Sequence, residues 1–221
     1  MNPIQFNNKN DLKNYPRDLG KDLKMLEQNK CDIVFCPNEN EMYPEKVNEK
    51  YDLGGLDFLM EGQFRPGHFQ GVAIVVKRLF DLVSPDNAYF GRKDFQQLSI
   101  IKYLVKSLKL NVNIIGCETI RDVDGLAKSS RNLLLEKDLR SEVAVIPEIL
   151  FSCRDLKQSC SVDEVKKIVE TKINSVLKLE YFEIVDELTL VPIKNWTDSK
   201  NIVACIAVWA GNVRLIDNIL L

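Results

Sequence analysis

The stretch NAYFGRKDFQQLSII, residues 87–101, decides the fold. A short apolar run ends at Phe90. A glycine, two cations and an acid follow, and then two glutamines open a segment whose apolar residues recur at helical spacing. The pattern predicts a strand at 88–90, a turn, and a helix over 94–107. Downstream, VNIIGC (112–117) is a second strand. Upstream, HFQGVAIVVKRLFDLV puts Phe69, Val72, Ala73, Val76, Leu79, Phe80 and Val83 on one helical stripe that Pro85 stops. DIVF (32–35) is a short buried strand by the same criteria, and Pro16 with Leu19, Leu23 and Leu26 predicts a helix with proline in its first turn. Strands alternating with helices imply an α/β fold with a doubly wound parallel sheet.

After residue 117 the pattern changes. ETIRDVDGLAKSSRN is a polar loop, two helices follow, and Ser161 with Glu164 forms a capping box for the second. LEYFEIVDE, LTLVPI, NIVACIAVW and VRLIDNILL then predict four strands, hence an α+β module. The expected domains are residues 1–119 and 120–221.

The chain has 221 residues and a net charge of −2, so bulk charge points to neither a nucleic-acid nor a membrane partner. Its longest apolar run, residues 202–210, is too short to cross a bilayer. Six cysteines occur without a CxxC pair, which predicts reduced thiols in a cytoplasmic protein. With His68 the sole histidine, a zinc site is not expected, and a metal would be Mg²⁺ carried on a phosphate.

In a parallel sheet, ligands collect at the carboxyl ends of strands, facing helix N-termini. Gly91-Arg92-Lys93-Asp94 occupies one such end, and the stretch from Arg121 to Arg131 another. Gly91 admits a close backbone approach, Lys93 supplies a compact cation, and Gln97 can hydrogen-bond a carboxylate or hydroxyl. Ser129-Ser130-Arg131 adds two hydroxyls and a fork-shaped cation suited to phosphate oxygens. Each turn alone is more often a junction with solvated charges or a plain N-cap; two such turns at neighbouring strand ends make a nucleotide site as good a reading as the plain one. EGQFRPGHFQGV (61–72) brackets Arg65 and His68 with Pro66 and glycines, as a tight turn with a partly buried histidine would.

NPIQF, DLKNYPR, VFCPNENEMYP, EGQFRPGHFQGVAIVVKRLF, PDNAYFGRKDFQQL and IRDVDGLAKSSRN, in that order, resemble the pantothenate synthetase (pantoate–β-alanine ligase) family. The likeness is dense from residue 2 to about 140 and looser beyond. It implies a Rossmann-like fold of the nucleotidyltransferase kind, N-terminally truncated here, with a smaller C-terminal α+β lid. It further implies ATP-dependent condensation of pantoate with β-alanine through a pantoyl adenylate. ATP would be held by Gly91, Arg92, Lys93, Asp94, Ile120, Lys128, Ser129, Ser130 and Arg131, with Lys93 and Arg131 the catalytic cations. Pantoate would be held by Gln5 and Gln97. Lys128 departs from the family's Leu or Met, which a backbone contact tolerates. Mg²⁺ and a homodimer are implied with these.

Family chains begin upstream, with a first strand and a G-x-L-H-x-G-H signature whose histidines bind ATP; neither is in this sequence. Met1 is accordingly expected to be a GTG valine codon read as a start. Two central strands would carry on the order of ten buried side chains, each worth about 1.5–3 kcal/mol, so the middle of the sheet is expected to be exposed. The alternative is a catalytically inactive relic that binds nucleotide or pairs with a full-length subunit.

Overall fold

The computed structural model describes residues 2–6, 12, 13 and 15–221. Met1, and Asp11 and Asn14 of the DLKNYPR motif, lie outside them. Helix α1, Leu19–Gln28, starts one residue after Asp18, whose carboxylate accepts from the Lys21 N–H at 2.9 Å. The aspartate caps this helix, so Pro16 lies ahead of it and not in its first turn. Helix α2, His68–Val83, follows the expected stripe and buries Phe69, Val72, Ala73 and Val76. Then come strand β1, Asn87–Gly91, helix α3, Phe95–Ser107, and strand β2, Asn113–Cys117. β1 and β2 pair in parallel with Tyr89 opposite Ile115, so the chain makes the β–α–β unit foreseen. No residue of either strand is buried, and Tyr89 is 65 % exposed.

Residues 32–35 correct the sequence reading. They have no regular secondary structure, with Ile33 84 % exposed, and no described strand pairs with them. An apolar run becomes a strand only where a neighbour takes up its backbone groups.

The rest of the chain builds helices α4, Val145–Leu156, and α5, Val162–Asn174, against strands β3, Lys178–Asp186, β4, Ile202–Ala210, and β5, Val213–Leu220. The strands form an antiparallel sheet in the order β3-β4-β5. The Ser161–Glu164 capping box is present at the start of α5. LTLVPI is not a full strand. The Asp186 carboxylate accepts from the N–H groups of Leu188 and Thr189, which turns the chain, and only Pro192 bridges back to Val185. Leu190 takes a positive φ of 58° there and is fully buried.

β4 explains how the two halves join. Ile202, Ala204, Ile206 and Val208 face the core under α4 and α5. Val203 and Cys205, on the opposite face, join a second core with Phe69 and Ala73 of α2 and Phe95, Ile100 and Leu104 of α3. A strand covered on both sides is apolar at every position, which is why IVACIAVWA does not alternate.

Beside this apolar seam lies a polar one. Arg214 of β5 donates to both carboxylate oxygens of Glu61, at 2.8 and 2.7 Å, and through Nε to Glu180 of β3 at 2.8 Å. The Tyr181 hydroxyl donates to Glu61, and Trp209 Nε1 to Glu180, each at 2.8 Å. Burial would raise the Glu61 carboxyl, but the Arg214 guanidinium overcomes it and holds the group below the usual carboxylate range. Replacing Arg214 by Met leaves two carboxylates at the seam without their shared cation. Urea unfolding should register a loss of about 3–5 kcal/mol; a loss below about 1 kcal/mol, the scale of a surface pair, would show that the seam does not depend on this cation.

Candidate functional site

The site is built from strand-end turns. β1 runs into a 3-10 turn, Arg92–Asp94, and Asp94 is the N-cap of α3 without a side-chain cap bond. β2 leads to a loop closed on itself by an Arg121–Ala127 bridge and a Lys128 N–H to Ile120 carbonyl bond of 2.9 Å. The Ser129 hydroxyl accepts from the Arg131 N–H at 3.2 Å and starts the next turn, Ser130–Leu134.

These two turns meet. A cleft of about 930 Å³ is lined by Lys93 and Asp94 from the first, Ser129 and Arg131 from the second, Glu61 and Arg65 from the segment before α2, and Arg214 and Asp217 from β5. A small recess shares Glu61, Arg65, Lys93 and Asp94 with the cleft and adds Gln97 and His68. Of the residues singled out in the sequence, Lys93, Asp94, Ser129 and Arg131 line the cleft, and Gln97 lines the recess.

The others stand around it. Gly91 closes β1, and Arg92 pairs with Glu118 at 3.1 Å. Ile120 is 66 % exposed, and the Lys128 ammonium stands 3.8 Å from Asp122. Ser130 donates to the Tyr15 hydroxyl at 3.2 Å, and the Arg131 guanidinium lies 5.4 Å from the centre of the Tyr15 ring. Tyr15, inside the DLKNYPR motif, thus orients the second turn, a role that no local pattern announces.

Gln5 is placed by α2. A Cβ on Gly71 would sit 2.6 Å from the Gln5 Cα, so only glycine lets the Pro3–Gln5 turn lie against the helix. Asn2 donates to the Gly71 carbonyl at 3.0 Å. His68 holds the same turn: its Nδ1 bonds the Gln5 carbonyl at 2.8 Å. That carbonyl can only accept, so Nδ1 carries the proton, and bare Nε2 accepts from Arg65 at 3.1 Å. The single histidine is therefore a neutral strut between Arg65 and the NPIQF segment.

Burial, reinforced by the Arg65 charge, pushes the His68 imidazole from 6.5 down to about 4. Between those values the unfolded chain holds a proton that the folded chain refuses. The contribution is complete above pH 6.5 and drains as pH falls to about 4. Across that window it amounts to about 3 kcal/mol. Urea midpoints from pH 7 to pH 4 should fall more steeply for the parent than for His68→Gln; parallel profiles would show that the imidazole is not held neutral.

Arg65, Glu61, Arg214 and Asp217 complete the cleft and were not separable in the sequence from structural charges. Arg214 and Asp217 belong to VRLIDNILL, where strand patterning hides them. A parallel β–α–β unit facing an antiparallel module across a cleft lined with lysine and arginines is the layout of an α/β enzyme for anionic substrates.

The family model described as pantoate-beta-alanine ligase matches residues 1–220. A pantothenate synthetase of Bacteroides fragilis (strain YCH46) is 48 % identical over 221 residues, which cover 99 % of this chain and 78 % of that protein. One from Porphyromonas gingivalis (strain W83) is 47 % identical over 99 % of this chain and 79 % of its own length. The crystal structure of pantothenate synthetase from Thermus thermophilus superposes with a TM-score of 0.93 at 40 % identity, covering 99 % of this chain and 80 % of that one. A pantoate-beta-alanine ligase from Francisella tularensis, complexed with beta-gamma ATP and beta-alanine, gives a TM-score of 0.77 at 33 % identity, covering 100 % of this chain and 76 % of that one. The chain belongs to the pantoate–β-alanine ligase family, and its activity is that of an ATP-dependent ligase.

Proposed function

We propose that this cleft is where the chain condenses pantoate with β-alanine, and that Lys93 and Arg131 are its catalytic cations. One observation carries the assignment: two cations 38 positions apart, each at the end of a parallel strand or the loop after it, line a single cleft. The Francisella ligase, complexed with beta-gamma ATP and beta-alanine, supports the substrate set.

A carboxylate oxygen of pantoate attacks the α-phosphorus of ATP, the bond to the β-phosphate bridge breaks, and pyrophosphate leaves. The amine of β-alanine then attacks the acyl carbon, loses a proton, and displaces AMP. The first step brings an anion against a polyanion. Lys93 and Arg131 offset that repulsion and stabilise the charge that builds on the phosphoryl oxygens. The Ser129 and Ser130 hydroxyls, the backbone at Gly91, Ile120 and Lys128, and the side chains of Arg92 and Asp94 complete the nucleotide site. Gln5 and Gln97 orient pantoate in line with the phosphorus, which is catalysis by positioning. Mg²⁺ arrives on the ATP phosphates as part of the substrate. Among the described residues no group of three His, Cys, Asp or Glu side chains is arranged to hold an ion.

We further propose a homodimer, on the family resemblance, and a cytoplasmic location, in keeping with six free thiols. An inactive relic is not favoured, since the likeness runs through nearly the whole chain.

Pyrophosphate exchange measured with pantoate and ATP tests the assignment. Lys93→Met and Arg131→Met should each slow exchange by about 10²-fold or more, with the melting temperature near that of the parent. Exchange at the parental rate in either variant would remove that residue from the mechanism.

A further inference from the structure

β5 touches both turns of the site at adjacent residues. On one face, the Asn218 side-chain amide donates to the carbonyls of Arg92 and of Lys93, each at 2.9 Å. Both of its N–H bonds are thereby used, and the first turn is fixed by its backbone on either side of the Lys93 Cα. On the other face, the Asp217 carboxylate takes the Arg121 guanidinium in a bidentate pair of 2.6 and 2.9 Å. Its Oδ1 also accepts the Asn218 N–H at 2.8 Å. Arg121 donates in addition to the Gly125 carbonyl at 2.9 Å, so it ties the base of the second loop to the same strand.

The geometry follows from strand alternation. Successive side chains of a strand point to opposite faces. Leu215 and Ile219 belong to the core beneath α4 and α5, on the side of Asp217, while Arg214 and Asn218 share the opposite side. Neither side chain is needed for the β4–β5 ladder, which runs on backbone bonds. The Asp217 side chain is 2 % exposed and Arg121 is 20 % exposed, so the pair works out of reach of bulk solvent.

We propose that Asp217 and Asn218 are positioning residues that hold the two phosphate-facing turns in register, so that Lys93 and Arg131 address one triphosphate. This rests on the site assignment above. The two turns share no strand or helix, and the side-chain link between their segments, Arg92 to Glu118 at 3.1 Å, is solvent-exposed; β5 is in contact with both turns. A misplacement on the order of 1 Å at either turn is enough to cost up to about 10²-fold in the function that depends on it.

The test is calorimetric titration of the parent and of Asn218→Ala, Asn218→Ser, Asn218→Gln and Asp217→Asn with ATP and, separately, with pantoate. Lys93→Met and Arg131→Met are measured beside them. For Asn218→Ala, Asn218→Ser and Asp217→Asn, ATP should bind about tenfold more weakly or worse at a temperature where each variant is folded, with pantoate affinity close to parental. Asn218→Gln, which keeps an amide donor, should recover part of the loss. Amide exchange should quicken in residues 92–95 on changing Asn218 and in residues 121–131 on changing Asp217.

Parental ATP affinity in these three variants, with ATP binding lost in Lys93→Met and Arg131→Met, would overturn the register proposal alone. Parental ATP affinity in both cation variants would overturn the site assignment and this proposal with it. Equal losses for ATP and pantoate, accompanied by a fall in melting temperature, would reduce both residues to general structural support.

Discussion

A guanidinium enclosed by two carboxylates at the seam between the halves of the molecule constrains everything around it. The Arg214 side chain is 15 % exposed, Glu61 9 % and Glu180 14 %. Groups so buried are tolerable only when each finds its partners, and here each does, with Tyr181 and Trp209 supplying further donors. A triad with that many directional bonds has one geometry. Because Glu61 leads into α2 and Arg214 lies on β5, that geometry fixes where the segment before α2 stands relative to the C-terminal sheet. The same three side chains line the cleft.

The apolar part of the seam works with the polar part. Val203 and Cys205 of β4 pack on α2 and α3, whereas their neighbours along the strand pack under α4 and α5. The antiparallel module is therefore seated on the parallel unit through its sheet, and β5, at the sheet's edge, passes along the ends of the turns that carry Lys93 and Arg131. The site is a product of that seating. Neither half contains it.

How far this was legible in the sequence depends on the range of the interactions. The β1–α3–β2 unit, the stripe of α2, the α5 capping box and three of the four C-terminal strands follow from patterns within one or two turns of chain. The DIVF strand failed because apolar character cannot say whether a neighbouring strand is present. LTLVPI failed because Asp186, four residues before Leu190, turns the chain with its own carboxylate. In the site, Lys93 and Arg131 could be named because turns at strand ends advertise anion chemistry. Glu61, Arg214, Asp217 and Asn218 could not, since their meaning comes from partners 96 to 153 positions away. His68 stands between: its motif was visible, but its role as a neutral strut under Gln5 required the fold.

The placement of Trp209 has a consequence of a different kind. It is one of only two tryptophans, it lines the cleft, and its indole N–H is engaged by Glu180. The other, Trp196, is engaged far along the chain by the Cys160 carbonyl, with the Lys157 ammonium 5.8 Å from its ring centre. The molecule thus carries a native optical reporter in the wall of the cleft and a second indole outside the cleft lining. Substituting Trp196 alone would leave an emission spectrum that speaks for the cleft, with no dye attached.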